Sequence, residues 1–238
     1  MTYLKKNNLK NIKLLSHLSE SELMNFKRQI RWWNVAAGKS IIHKESDNRD
    51  VFFVLAGSVR VVNYSSSGRE IALANFKVGE YFGEIAAIDG KPRSANAIAV
   101  SDCVLASIAP SIFRSLIKYN SNISMEVMKR FAQIIRIADE RIMDLSTLKV
   151  VQRVYIELLK MVERDVAAPE LWVIRPMLSH SAIASHVGTT RETVARVLGQ
   201  LAQAKIVERK SKALYIRNKK RLEELAEQSN PEGMISPS

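Results

Sequence analysis

Six of the nine glycines in this 238-residue chain fall between Gly38 and Gly90, and three of them, Gly57, Gly68 and Gly79, recur at intervals of 11. That is the turn rhythm of short antiparallel strands. The runs between them have β character: Val51-Phe-Phe-Val-Leu55, Ser58-Val-Arg-Val-Val62 and Glu70-Ile-Ala-Leu-Ala74. Ser65-Ser-Ser-Gly68 reads as a hairpin turn in which glycine supplies a positive φ. The pattern predicts a compact β-roll or sandwich over residues 35–110 and is too short in extent for a solenoid. Ahead of it, Ser19-Glu-Ser-Glu22 has the form of a capping box, predicting a short helix that runs to about Ile30.

The character changes after Pro110. From Ser124 to Leu145 there is no Gly or Pro, and Met128, Phe131, Ile135, Ala138, Ile142 and Leu145 recur at alternating spacings of three and four. That is the seam of a two-stranded coiled coil, so a dimerisation helix is expected, with a helix packed only on its own domain as the alternative. A second helix is expected from about Leu148 to Asp165, then a short strand around Leu171 to Ile174, punctuated by Pro169 and Pro176. The fold class expected is α+β. Its parts are a β-roll domain with an N-terminal helix at 1–120, the dimerisation helix at 121–146, a small basic domain at 147–228 and a polar, disordered tail at 229–238.

Composition narrows the function. With 36 Lys and Arg against 24 Asp and Glu, the formal net charge is +12. Such a charge suggests a polyanionic partner. The longest apolar runs, such as Val51 to Gly57, stop far short of the roughly 20 residues of a membrane span, and no apolar stretch follows the basic start Met1 to Lys13. A cytoplasmic protein without membrane attachment is expected. One cysteine, Cys103, permits no internal disulfide and no multi-cysteine zinc or iron–sulfur site.

Ser181 to Leu201 has the layout of a helix-turn-helix. Ala182, Ile183 and Val187 are spaced as the inner face of a short helix, Gly188 permits the turn, and Thr190 stands as N-cap of a second helix that buries Val194, Val197, Leu198 and Leu201. Its outward face carries Arg191, Glu192, Thr193 and Arg196. Arginine can pair bidentately with guanine O6 and N7, and Glu can accept from cytosine N4. Hydroxyls at Ser179, Thr190 and Thr193 suit phosphate contacts, and His180 lies beside Ser179. Beyond it, Lys205 to Lys212 and Leu214 to Ile216 read as a two-stranded wing with Lys212 at its basic tip. From Arg175 to Arg221 there are 11 Lys and Arg against Glu192 and Glu208 alone. Double-stranded DNA is the expected partner of this domain.

The segment from Gly79 to Ala95 reads as an anion cradle. Gly79 and Gly83 let the backbone turn closely around a ligand, and Gly83-Glu84-Ile85-Ala86 can form a short helical turn with free N–H groups. Arg93, fixed behind Pro92, offers a forked donor to phosphate, and Ser94 adds a hydroxyl. Glu84 is a poor neighbour for phosphate but a good acceptor for a ribose hydroxyl, so the set suits a sugar–phosphate. A bare Arg93–Glu84 ion pair would leave the two glycines and the Pro-Arg-Ser run unexplained.

Gly83-Glu84-Ile85-Ala86 through Pro92-Arg93-Ser94-Ala95 resembles the phosphate-binding cassette of cyclic-nucleotide-binding domains. Together with the long helix and Thr190-Arg-Glu-Thr-Val-Ala-Arg196, the chain resembles the catabolite activator (CRP/FNR) family of bacterial transcription regulators over residues 10–225. The resemblance implies a β-roll, a central dimerisation helix and a C-terminal winged helix. It implies that Glu84 binds the ribose 2′-hydroxyl, that Arg93 and Ser94 bind the cyclic phosphate with Gly83, Ile85, Ala86 and Ala95 in the same cassette, and that Val61 and Leu73 wall the ligand. It gives base reading to Arg191, Glu192 and Arg196, and implies a homodimer on a pseudo-palindromic site, with cAMP as allosteric ligand and RNA polymerase as a partner through surface loops such as Val166 to Glu170.

The chain departs from the patterns of this family in two respects. Counting back from Val150-Val-Gln-Arg153, Ala138 and Asp139 stand where cAMP-responsive members carry adjacent hydroxyl residues against the adenine amino group. Asp139 is an acceptor for that amino group or for guanine N1–H and N2–H, so cGMP is a candidate effector beside cAMP; the alternative is a solvated Asp139 near Arg136. No cysteine precedes Cys103, against an oxygen-sensing iron–sulfur cluster, and the four histidines do not cluster, against haem. Enzyme chemistry lacks a residue set: His43 is the one histidine in the roll, so a metal-holding cupin-like barrel has no ligands. The alternative function is a regulator of the same family that answers another effector or none.

Overall fold

The structure, a computed structural model, describes residues 9–227 apart from Ala167. The tail expected to be disordered, 229–238, lies outside these residues. The chain divides into two compact units between Ile135 and Arg136, inside a continuous helix.

In the first unit, Ser19 and Glu22 form the capping box foreseen in the sequence, but helix α1 (Glu20–Lys27) ends before Ile30. The chain then enters strand β1 (Arg31–Val35), so the roll starts earlier than residue 35. The alternation of a half-buried strand is missing there because β1 lies at a sheet edge and is exposed along most of its length. Strands β2 (Ser40–Ile42), β3 (Val51–Ala56), β4 (Val59–Tyr64), β5 (Glu70–Phe76) and β6 (Tyr81–Phe82) follow, then helix α2 (Glu84–Asp89) and strands β7 (Asn96–Ala99) and β8 (Cys103–Ile108). They form two antiparallel four-stranded sheets, ordered β1-β8-β3-β6 and β2-β7-β4-β5.

The uninterrupted apolar run of β3 now has a cause. Phe52 and Val54 face the core between the sheets with Val59, Phe82, Ala97, Ala99 and Leu105. Val51, Phe53 and Leu55 face the other way, into a second core formed with α1, helix α3 (Pro110–Tyr119) and the first turns of helix α4 (Ser121–Thr147). A strand covered on both faces has no polar side to show. Proline at the first position of α3 suits a place whose N–H has no partner in the helix.

The second unit packs helices α5 (Val150–Met161), α6 (His180–Val187), α7 (Arg191–Gln203) and α8 (Lys219–Glu227) on one face of a small sheet. Its strands are β9 (Glu163–Arg164), β10 (Trp172–Ile174), β11 (Val207–Lys210) and β12 (Ala213–Ile216), in the order β11-β12-β10-β9. Helix α5 stops at Met161 rather than near Asp165, since Glu163 and Arg164 pair with β10. The two-stranded wing is therefore half of a larger sheet.

Candidate functional site

The cassette begins where β6 meets α2. Gly83 takes φ +89° as N-cap of α2, and Gly90 takes φ +72° at its end. The close approach at Gly83 is steric as well as torsional: a Cβ there would lie 2.6 Å from Arg93 Nη1 and 2.9 Å from the Asp50 carbonyl. Glycine alone lets the arginine in.

Arg93 is 3% exposed. Its Nη1 donates to the Gly83 carbonyl at 2.9 Å, and its Nη2 donates to the Asp50 carbonyl at 2.6 Å and to Asn48 Oδ1 at 3.0 Å. The buried Nε–H has no partner. Burial pulls the guanidinium down to about 10, against the opposing pull of Asp50 and Glu84. It remains a cation at neutral pH, and one buried donor is left unused. An unpaired buried donor costs roughly 1–3 kcal/mol. An anion beside Nε would remove that cost.

Asn63 was not foreseen. Its Nδ2 donates to the Ser94 carbonyl at 3.2 Å, while its buried Oδ1 has no partner. Of the other expected cassette residues, Ala86 and Ala95 are buried, Val61 packs against the inter-sheet core, and Ser94 and Ile85 are exposed. Leu73, expected as an apolar wall, is 46% exposed. Val61 and Val62 pair with Ala74 and Ala72, so Leu73 is the extra residue of a β-bulge.

Glu84 is 4% exposed and its ion partner is Arg130 of α4, with Arg130 Nε at 3.3 Å from Glu84 Oε1. Arg130 Nη2 also donates to the Tyr81 carbonyl at 2.7 Å, and the guanidinium lies over the Tyr81 ring, 4.3 Å from its centroid. This arginine was missed. The signal was present, since Arg130 falls on the same helical face as Ile123, Val127 and Phe131, which is otherwise apolar. Ala138 and Asp139 lie two turns further along α4, exposed.

Of the residues expected in a dimer seam, Met128, Ile135, Ala138, Ile142 and Leu145 are exposed along α4. Phe131 is half-buried and packs beside Val127 against the core of its own unit. Its ring already has a partner surface, which the spacing could not reveal.

In the second unit, Ser179 Oγ caps α6 by accepting from the Ala182 amide, and Thr190 Oγ1 caps α7 by accepting from the Thr193 amide. Gly188 turns between them with φ +71°. Ile183, Val187, Val194, Val197, Leu198 and Leu201 are buried, while Ala182 is only half-buried. Arg191, Glu192 and Arg196 share the exposed face of α7, with Thr193 half-buried at its first turn. The hydroxyls of Ser179 and Thr190 thus serve the helix ends first, and Thr193 Oγ1 lies 3.1 Å from Thr190 Oγ1. His180 sits at the start of α6, and its imidazole is held below the usual histidine range by burial and by the charges of Arg209 and Arg191. Lys212 is exposed at the turn between β11 and β12. Glu208 is gripped by Arg217 and Lys210, which lowers its carboxyl.

The last turns of α4 reach this motif within the same unit. Arg141 Nη2 donates to the His186 carbonyl at 3.3 Å, and Leu145 is the neighbour of Gly188. Arg153 Nε donates to the Val187 carbonyl at 3.1 Å, capping the C-terminus of α6 from α5. Among the described residues no group of three or more His, Cys, Asp or Glu could hold a metal ion, and no helix is long and apolar enough to cross a membrane.

Comparison with known proteins adds independent support. Residues 32–120 match the family described as cyclic nucleotide-binding domain, and residues 152–225 match the Crp-like helix-turn-helix domain. The chain is 32% identical to the cyclic AMP receptor protein of Thermus thermophilus over 189 residues, covering 79% of this chain and 85% of that protein. In fold it is similar to a CooA mutant from Carboxydothermus hydrogenoformans, with TM-score 0.74 at 19% identity, covering 91% of this chain and 95% of that one. It is similar too to the c-di-GMP responsive regulator CLP of Xanthomonas campestris, with TM-score 0.68 at 19% identity, covering 83% and 99%.

Proposed function

The chain belongs to the CRP/FNR family of DNA-binding transcription regulators, and on that premise we propose that it answers a cyclic nucleotide, cAMP or cGMP, bound in the β-roll. The observation that carries this reading is the Arg93 guanidinium, locked by three bonds with its buried Nε–H unused. In it, Arg93 and the Ser94 hydroxyl take the cyclic phosphate, and Glu84 takes the ribose 2′-hydroxyl while its other side faces Arg130. Asp139 is assigned to the base.

The protein acts as a homodimer through the exposed apolar face of α4, with residues 1–120 as the effector domain, 121–146 as the dimer helix and 147–228 as the DNA-binding domain. Each α7 lies in a major groove, the two about 34 Å apart on a pseudo-palindromic site. Arg191, Glu192 and Arg196 read bases, while Ser179, His180, Thr190, Thr193 and Lys212 face phosphates. The effector shifts a two-state equilibrium by its greater affinity for the DNA-competent state. Contact with RNA polymerase is assigned to the segment from Val166 to Glu170, and the protein works in the cytoplasm.

Titration calorimetry with cAMP and with cGMP, followed by operator binding with and without each, tests the reading. Binding of at least one, with tightening on DNA, is the expected result. No heat from either nucleotide and unchanged DNA binding would overturn it. A second reading, a regulator with another effector or none, is favoured by one observation: Glu84 already has Arg130, and two of the three guanidinium nitrogens of Arg93 are already bonded.

A further inference from the structure

Behind Arg93 runs a hydrogen-bonded line that ends at the edge of the roll. The backbone carbonyl of Asp50 accepts from Arg93 Nη2, and the carboxylate of the same residue accepts from Ser107 Oγ at 3.2 Å. Ser107 Oγ in turn accepts from Trp33 Nε1 at 2.9 Å. The directions are forced by chemistry. An indole N–H can only donate, a carboxylate can only accept, and the single hydroxyl proton must point from Ser107 to Asp50.

Asp50 and Ser107 are buried, whereas Trp33 is half-exposed on β1, the edge strand beside β8. Asp50 is further fixed by its amide, which donates to Asn48 Oδ1, the same atom that accepts from Arg93. A second, apolar path runs in parallel. The Phe52 ring lies 6.0 Å from Trp33 by ring centroids, and the Arg93 guanidinium carbon is 6.0 Å from the Phe52 centroid. Arg31 Nη1, on the surface, reaches Asp50 Oδ2 at 4.0 Å.

We propose that Trp33, Ser107 and Asp50 are positioning residues for Arg93, so that the state of the effector pocket is set in part by, and can be read at, an indole on the outer edge of the roll. The proposal rests on the reading of Arg93 as the anion-binding group. Neither Trp33 nor Ser107 is a hydrogen-bond partner of Arg93. Their effect on a ligand passes through the Asp50 main chain and the guanidinium it holds.

The test uses the full chain and the indole N–H resonances of its three tryptophans, with Trp33→Phe assigning the signal and Trp172, in the other unit, as control. In the ligand-free protein, Arg93→Lys is expected to move the Trp33 signal and leave that of Trp172. With cAMP, the Trp33 signal of the wild type should move, and Ser107→Ala should remove both responses and weaken cAMP binding by about threefold to tenfold, the worth of one hydrogen bond. A Trp33 signal indifferent to Arg93→Lys, or a Ser107→Ala protein that keeps the response, overturns the positioning line. If the wild type binds neither cAMP nor cGMP, the cyclic-nucleotide reading fails, and the Arg93→Lys arm still decides this one.

Discussion

Arg130 of α4 and Glu84 of α2 meet through Nε and Oε1 at 3.3 Å, a part-buried ion pair that joins the cassette to the long helix. The pair is held from a second side, since Arg130 also bonds the Tyr81 carbonyl and covers the Tyr81 ring. Occupancy at Glu84 is thereby connected to α4 by a contact that needs no intermediary. A ribose hydroxyl and a guanidinium can share one carboxylate, which has acceptor sites for both.

Arg130→Ala is therefore expected to uncouple rather than to abolish. cAMP should still bind, with affinity changed by no more than about tenfold, while the ratio of operator affinity with and without cAMP falls toward one. Calorimetry and a gel-shift titration measure the two quantities separately. A variant that keeps the full ratio would show that Glu84 and α4 communicate elsewhere.

Arg93→Ala should remove nucleotide binding by at least about 100-fold and also lower the stability of the first unit by roughly 1–3 kcal/mol, because the Gly83 and Asp50 carbonyls lose their donor. Operator binding in the absence of nucleotide should be untouched. Gly83→Ala makes the same point from the other side: a methyl 2.6 Å from Nη1 on a residue at φ +89° should displace the arginine. A thermal melt and a cAMP titration of both variants check this.

On DNA, Arg191→Ala should cost about 1–3 kcal/mol on the specific operator and little on random sequence. Lys212→Ala should weaken both alike and reduce the slope of log K against log salt by about one. Fluorescence anisotropy at several salt concentrations separates the two patterns.

His180 supplies a pH dependence. Burial and the charges of Arg209 and Arg191 lower its pKa, so in the free protein it is neutral at pH 7. A phosphate placed beside it favours the imidazolium, so DNA binding takes up a proton and operator affinity should rise as pH falls from 8 toward 6. His180→Gln should flatten that rise. The stability of the free domain goes the other way. Unfolded histidine holds its proton more tightly than His180 does, so this contribution is present above the ordinary value near 6.5 and lost as pH falls through the lowered one.

Much of this molecule was legible in its residues, for local reasons. The capping box at Ser19, the turns at Gly68 and Gly188 and the inner face of α7 are each decided within a few positions. The Gly83–Arg93 loop was legible because it carries residues whose conformational freedom and charge are unusual together. What escaped depended on distant chain. β1 could not be seen because an exposed edge strand has no burial pattern, and the bulge at Leu73 shifts register without a sequence mark. Phe131 fits the seam by spacing, but nothing in its neighbours says that it also packs on the core of its own unit. Arg130, Asn63 and the Asp50–Ser107–Trp33 line become partners only once segments 31 or more residues apart lie side by side.

In β5, Leu73 stands outside the ladder, with Ala72 and Ala74 on either side of it paired to Val62 and Val61. Side chains alternate between the faces of a strand, so removing that one residue would leave Ala72 and Ala74 adjacent, as a regular strand requires, with the other side chains of β5 still on their own faces. A deletion elsewhere in β5 would instead turn one half of the strand over. The strand thus carries its own splice point, where its length can change by one residue and alter a bend rather than the core.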